Sequence, residues 1–359
     1  FTGSFANAPM TAVDQEQLAR QAFSAWWPHA HLSALGNGHI HRTYLVEVNK
    51  PNKDRFVLQA ANSEVFADPV TLTEQMLPLL EHLSADADYS KNLKVPELVP
   101  TARGHLVHRH GEKIWRVWRY FDRSRVIDPF TNTQQIESAA RAFGAFQRSL
   151  IAFRPQSWVP PIPEFLELGG YLRRYRQCRE MAPDELPTDL TQRVDSYQTL
   201  ADVLGQERTF IHGDCKINNL LFQAQQDQVL GVIDLDTVGP GHWAWDFGDL
   251  VRSVAFSHGG VDMDQFRACV RGFSQGRRDL DQALDVTATQ MSLAPAYIAL
   301  TLGVRFLTDH LQGDRYFRVS GRGENIDRAQ QQLGLLERFS ALRKALYRTA
   351  LVGLSDRAD

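Results

Sequence analysis

The sequence predicts an α+β chain in two lobes, a small β-rich N-terminal lobe and a larger, mostly helical C-terminal lobe. Three observations carry this. At 359 residues the chain is long enough to bury two apolar interiors. Residues 29–60, and again about 105–121, alternate apolar and polar side chains as strands do. From about Asp128 the pattern changes to the spacing of helices.

Taken in order, Phe1 to Pro9 lack the basic start and apolar core of a signal peptide, and Met10 reads as the natural initiator. Residues 1–9 are therefore set aside as additional to the natural chain. Thr43–Val48 and Arg55–Gln59 flank the turn-rich Asn49–Asp54 and predict a hairpin. Asp68-Pro69 then opens a helix carrying Leu72, Met76, Leu77 and Leu80, before a strand pair near His105–His108 and Ile114–Phe121. These elements make residues 10–122 the N-terminal lobe and 123–359 the C-terminal lobe. In the latter, Gln135–Leu150 sets Ile136, Ala140, Phe143 and Phe146 on one helical face. After the proline-rich Pro155–Pro163 come helices to about 204, one compact hairpin between 209 and 236, and mostly helices to the end.

A formal charge of -3 provides no field to attract nucleic acid or an anionic membrane. Cys178, Cys215 and Cys269 are odd in number and far apart, which argues against a disulfide framework and for a reducing, cytoplasmic setting. Ser292–Val304 is uncharged but too short to cross a bilayer, and predicts a buried helix. His29, His31, His39, His41, His105, His108 and His110 have no cysteine or carboxylate at ligand spacing and do not predict zinc.

The densest chemistry lies in Phe210–Phe222 and Val229–Asp236. The apolar strands Leu220–Phe222 and Val229–Ile233, joined by the polar Gln223–Gln228, turn back on each other and bring Asn219 and Asp234 to one end of a hairpin. An amide oxygen and a carboxylate so placed suit a hard cation such as Mg²⁺. Asp214 and Lys216 lie on the loop feeding this hairpin. That set suits phosphoryl transfer: a carboxylate to orient the attacking hydroxyl, a lysine to offset charge on the moving group, and metal ligands near the nucleotide phosphates.

His212-Gly-Asp-Cys-Lys-Ile-Asn-Asn219 resembles the catalytic loop of the aminoglycoside phosphotransferase and choline kinase superfamily, relatives of the protein kinases. The resemblance implies a protein-kinase-like fold using ATP and Mg²⁺, with Asp214 as catalytic base, Lys216 near the γ-phosphate, Asn219 and Asp234 as metal ligands, and Asp236 assisting. Gly213 stands where the His-Arg-Asp arginine of regulated protein kinases would be, and the segment between Asp236 and Asp246 leaves no room for an activation loop. A small-molecule kinase is therefore expected. The literal Asp246-Phe-Gly248 lies beyond the hairpin; Asp246 is expected to cap the following helix and brace the catalytic loop.

On the nucleotide side, Leu35–Tyr44 resembles a glycine-rich phosphate loop, making Gly36, Asn37 and Gly38 candidate contacts. Gln59 occupies the place where most of the superfamily has a phosphate-gripping lysine, and Glu74 is that lysine's usual partner. Either this branch accepts glutamine or the protein is a nucleotide-binding pseudoenzyme. Trp115–Phe121 resembles the strand that hydrogen-bonds adenine, with Tyr120 as candidate.

The narrower resemblance is to N-acetylhexosamine 1-kinases. It rests on Asp214–Asn219, Ile233–Val238, Asp246–Asp249 and Arg305–Phe317, although Phe165–Leu168 lacks an expected histidine. It implies phosphorylation of a sugar's anomeric hydroxyl, with Asp214 contacting that hydroxyl. Arg305 and Asp309, four apart on a helix, either line the sugar pocket or form a surface ion pair. The rival expectations are a kinase for another sugar, an amino alcohol or an aminoglycoside, and the pseudoenzyme.

Overall fold

Alternation puts Tyr44 and Val46 on one face of Arg42–Glu47, and Phe56 and Leu58 on one face of Arg55–Ala60, and all four are buried. In the computed structural model these strands belong to an antiparallel sheet; the structure describes residues 12–35, 42–48, 54–63, 65–204, 207–280 and 283–355. The glycine loop Gly36, Asn37 and Gly38 lies outside the described residues.

The chain divides into two compact units, residues up to Leu77 with Pro96–Asp122, and Pro78–Val95 with Arg123 onward. The first unit holds helix α1 (Ala12–Phe23) and strands β1 (His31–Ala34), β2 (Arg42–Glu47), β3 (Arg55–Ala60), β4 (Val107–His110) and β5 (Lys113–Arg119), in the sheet order β1-β2-β3-β5-β4. Phe23, Trp26, Val46, Phe56, Leu58, Trp115 and Val117 form its core. Trp26 is tied in by its indole N–H, which donates to the Val99 carbonyl at 2.7 Å.

Asp68 caps helix α2 (Pro69–Glu74) by accepting from the amides of Val70 and Thr71, as its place before a proline predicts. The expected single helix is broken near Gln75, and α3 (Met76–Ala85) leads into the second unit. Sequence alone puts Pro78–Val95 in the N-terminal lobe; the contacts group it with the second unit. There His82 Nε2 meets the Ser149 carbonyl at 2.8 Å, the Lys94 amide donates to Leu230, and Asp88, in α4 (Ala87–Asn92), pairs with Arg148 at 2.8 Å.

In the second unit β6 (Ser124–Arg125) precedes α5 (Thr133–Leu150), which buries Ile136, Ala140, Phe143 and Phe146 on the predicted face. Next come α6 (Leu168–Met181) and α7 (Thr188–Tyr197), then strands β7 (Thr209–Ile211), β8 (Leu220–Gln223), β9 (Val229–Val232) and β10 (Gly239–Gly241). The expected single hairpin is divided between two sheets. β8 pairs with β9 and with β6, whereas β7 leaves the hairpin and pairs with β10.

Four long helices complete the unit: α8 (Trp243–Ser257), α9 (Met263–Arg277), α10 (Leu284–Leu311) and α11 (Glu324–Ser355). α5 and α9 approach closely because Gly272 has no side chain; a Cβ there would stand 2.2 Å from the Glu137 carbonyl oxygen. α10 is long and apolar enough to cross a membrane, but 83% of its most apolar window is buried, so it is the core helix expected at Ser292–Val304. The architecture is α+β, an antiparallel sheet in the first unit and a largely helical second, as predicted.

Candidate active site

The hairpin sets the site. Leu220 pairs with Val232, and the Ile233 amide donates to the Asn219 carbonyl at 3.0 Å, so Asn219 opposes Ile233 and Asp234 follows one step on. The two ligand candidates share the hairpin end, one residue out of direct opposition. Asp234 sits in the left-handed region at φ 62°, ψ 58°, which an aspartate adopts only at a modest cost. His212 links loop to strand: its Nδ1 accepts from the Asp214 amide at 3.2 Å, which leaves Nε2–H to donate to the Ile233 carbonyl at 3.0 Å.

Asp214, Lys216 and Asn219 meet directly. Lys216 Nζ donates to Asp214 Oδ2 at 2.6 Å, and Asn219 Nδ2 donates to the same oxygen at 2.9 Å and to the Asp214 carbonyl at 2.8 Å. Burial alone would raise the Asp214 pKa, but the Lys216 charge and these hydrogen bonds outweigh it and hold the carboxyl below its ordinary value. Burial would lower the Lys216 pKa; the charges of Asp214 and Asp234 instead push it above the ordinary amine range. The pair is an anion and a cation at neutral pH.

Helix α8 holds this loop from behind. Asp246, wholly buried, accepts from the His212 amide with Oδ2 and from the Gly213 amide with Oδ1, both at 2.8 Å. Gln147 donates to the same carboxylate at 2.7 Å, and its own amide oxygen accepts from buried Arg277. Ser253, two turns further along α8, accepts from the Ile217 amide at 3.1 Å. The bracing role expected of Asp246 is present, whereas the cap is not: His242 is the N-cap, its Nδ1 accepting from Ala244, and Asp246 lies inside the first turn. Asp249 is a neighbour of this set that the sequence spacing does not single out. It is buried against Arg252 at 2.7 Å, burial and the nearby Asp214 charge raise its pKa, and its charge acts on Lys216.

Arg305 and Asp309 follow neither expectation in full. The Arg305 guanidinium carbon lies 5.2 to 5.4 Å from the ring centres of Phe165, Tyr171, Tyr316 and Phe317, and it donates to the Tyr316 hydroxyl at 3.1 Å. The Asp214 charge helps keep it protonated against the effect of burial. Phe165 reaches the catalytic loop itself, since a Cβ on Gly213 would stand 3.1 Å from its ring. It is presented between Glu164 and Leu166, both at left-handed φ (52° and 62°), with the Leu166 carbonyl and Leu168 amide clamped by the Tyr297 hydroxyl at 3.0 Å. Asp309 is 3% exposed, and its oxygens accept from the amides of Arg315, Tyr316 and Phe317 and from Asn325. It orders the segment that carries two of the four rings, and its carboxylate is committed to protein donors. Those rings span residues 165–317, so no local spacing reveals them.

In the first unit, Gln59 Oε1 accepts from Arg116 and Trp118, Glu74 is exposed, and the Tyr120 amide donates to the Arg55 carbonyl at 3.1 Å.

Residues 31–281 match the sequence profile described as the phosphotransferase enzyme family, APH, and the chain belongs to that family. Solved structures similar to it include a microcompartment-associated aminopropanol kinase (17% identity, 91% of this chain and 98% of that one, TM-score 0.61). Another is an amicoumacin kinase in complex with AMP-PNP, Ca²⁺ and Ami (15%, 93% of each chain, 0.59). A third is a choline kinase from Cryptosporidium parvum (12%, 96% and 99%, 0.60). The protein is a phosphotransferase with a protein-kinase-like fold.

The residues present fit a divalent cation. With Nδ2 committed to Asp214, Asn219 has Oδ1 to ligate with, and Asp234 is the hard carboxylate beside it. Among the described residues no three His, Cys, Asp or Glu side chains gather as a complete cage. A two-ligand site suits Mg²⁺, which keeps waters and takes phosphate oxygens as its remaining ligands. Asp236 is buried, at 2% exposure, two residues further on.

Proposed function

We propose that the protein is an ATP-dependent kinase acting on a neutral sugar, the anomeric C1 hydroxyl of N-acetylglucosamine or N-acetylgalactosamine. The observation that carries the choice of acceptor is Arg305. Aromatic surrounds recognise cations, and here the chain's own guanidinium fills one whose charge also feels Asp214. An ammonium of choline, aminopropanol or an aminoglycoside would meet that charge and find the rings taken. A neutral sugar instead offers oxygens to the guanidinium, which spends one of its five donors on Tyr316. The resemblance of Arg305–Phe317 to N-acetylhexosamine 1-kinases narrows the sugar.

In this reading Asp214 accepts the hydrogen bond of the attacking hydroxyl and takes its proton as the new O–P bond forms, while the bond from the γ-phosphorus to the β–γ bridging oxygen breaks and ADP leaves with that electron pair. A carboxylate held below its ordinary pKa is a weak base, so its main contribution is orientation, which suits a loose phosphoryl-transfer transition state. Lys216 offsets charge on the transferring group. Asn219 and Asp234, with Asp236 assisting, would hold Mg²⁺, which when bound with ATP neutralises phosphate charge. Gln59 and Tyr120 serve the nucleotide, as does the glycine loop. Three free cysteines, two of them buried, accord with a reducing, cytoplasmic setting.

The test is ADP release over a panel of N-acetylhexosamines, free hexoses, choline, aminopropanol and an aminoglycoside. An N-acetylhexosamine should give the highest kcat/KM and an acid-labile phosphate. Faster turnover of any amino alcohol would sink the acceptor assignment, and ATP binding without turnover on the panel would favour the pseudoenzyme.

A further inference from the structure

Gln59 and Arg116 stand directly opposite each other on β3 and β5, so their side chains leave the same face of the sheet. Gln59 Oε1 accepts three donors there: Arg116 Nε at 3.1 Å, Arg116 Nη2 at 3.0 Å and Trp118 Nε1 at 2.8 Å. Flipping the amide would abandon all three and set its NH₂ against a guanidinium. The orientation of Gln59 is thereby fixed, and its Nε2 donors are what this half-buried residue presents outward. Arg116 is itself buried, 1% exposed, with Nη1 3.8 Å from Met76 Sδ and its guanidinium 5.2 Å from the Trp118 ring centre. Hydrogen bonds from a cation draw electron density through the amide and strengthen its N–H groups as donors.

We propose that Arg116 and Trp118 are positioning residues for the nucleotide: by holding Gln59 Oε1 they aim the Nε2 donors at a phosphate oxygen. A polarised amide then takes the part of the lysine absent at position 59. Glu74, the residue that would pair with such a lysine, is exposed, and Met76 is the α3 side chain that meets the guanidinium. This inference rests on the reading of the protein as a nucleotide-dependent kinase and adds the device by which the nucleotide is gripped.

Gln59→Glu is the sharpest test, because it keeps an acceptor for all three donors and replaces the outward donor with a carboxylate oxygen. Titration calorimetry on the full chain with MgATP and with adenosine separates phosphate from base. The variant should melt no lower than the wild type and bind adenosine equally, yet bind MgATP roughly tenfold or more weakly, as expected for losing a hydrogen bond to a charged group. Arg116→Met should show the same phosphate-confined loss, and Arg116→Lys should recover part of it. MgATP binding unchanged in Gln59→Glu, or weakened equally for adenosine, overturns the proposal. Wild-type protein that binds MgATP through its phosphates without turning over any acceptor removes the kinase reading and leaves this one standing; wild-type protein that binds no nucleotide removes both.

Discussion

Asp246 holds Gly213 by the backbone, its Oδ1 2.8 Å from an amide whose residue is at φ +82°. The second oxygen takes the neighbouring His212 amide, so one carboxylate holds the amides of the two residues that precede Asp214. Asp246→Ala leaves the buried His212 and Gly213 amides without an acceptor and takes from Gln147 one of the two acceptors of its amide nitrogen, the Trp243 carbonyl remaining, and should cost roughly 3 to 5 kcal/mol of stability by denaturant unfolding. An effect confined to magnesium affinity, at unchanged stability, would show that the literal Asp-Phe-Gly aspartate is a metal ligand after all.

Asp214→Ala removes the group that orients the acceptor hydroxyl and should lower kcat by about 10² to 10⁴. MgATP affinity, followed by calorimetry, should stay within about threefold of the wild type, a difference under 1 kcal/mol. Full turnover in the variant would remove Asp214 from the chemistry.

The Asp214–Lys216 pair also sets a pH dependence. Asp214 has a depressed pKa, so its contribution to stability is complete above the ordinary value of 3.8 and is lost as pH falls through its folded value. Lys216 is raised, so its contribution is complete below the ordinary 10.5 and is lost as pH rises through its folded value. The melting-temperature difference between wild type and Lys216→Met should therefore be level from about pH 5 to 9 and shrink in stronger acid. A difference that changes across neutral pH would contradict the pairing.

Asp234→Asn keeps the shape of the hairpin end and removes its formal charge. The Mg²⁺ concentration needed for half-maximal ADP release should rise about tenfold or more, with the fold intact by circular dichroism. An unchanged magnesium requirement would mean the cation is held elsewhere.

Arg305→Met empties the aromatic surround of its cation while filling much of the volume. Acceptor KM should rise about tenfold with MgATP KM unchanged, since one or two hydrogen bonds to a charged donor are lost. Choline or aminopropanol should also gain measurable turnover. A variant that still rejects every amino alcohol would show that another part of the pocket sets that selectivity.

What was legible in the sequence followed local rules. The two-residue period of Arg42–Glu47 and Arg55–Ala60 gave the first sheet, Asp68 before Pro69 gave a cap, and two apolar runs around Gln223–Gln228 gave the hairpin bringing Asn219 and Asp234 to one end. Where local rules misled, a distant partner had won. β7 looks continuous with that hairpin but bonds to β10, and Asp246 looks like a cap but spends its oxygens on a loop more than thirty residues upstream.

By itself, then, the sequence determined the α+β class, the main order of elements and the candidate loop that brings Asp214, Lys216 and Asn219 together, because strand alternation, helical period and the His212–Asn219 spacing are all short-range quantities. Only the tertiary structure decided which groups serve that set. Asp309 spaced four from Arg305 offers either a shared pocket face or an ion pair, yet its carboxylate is taken by the amides of residues 315–317, while Arg305 is held by rings from as far away as Phe165. Gln59 reads as a missing lysine until β3 and β5 bring Arg116 opposite it. The physical reason is common to both: a buried charge or amide takes whichever partners the packed chain supplies, and those partners have no fixed separation in sequence.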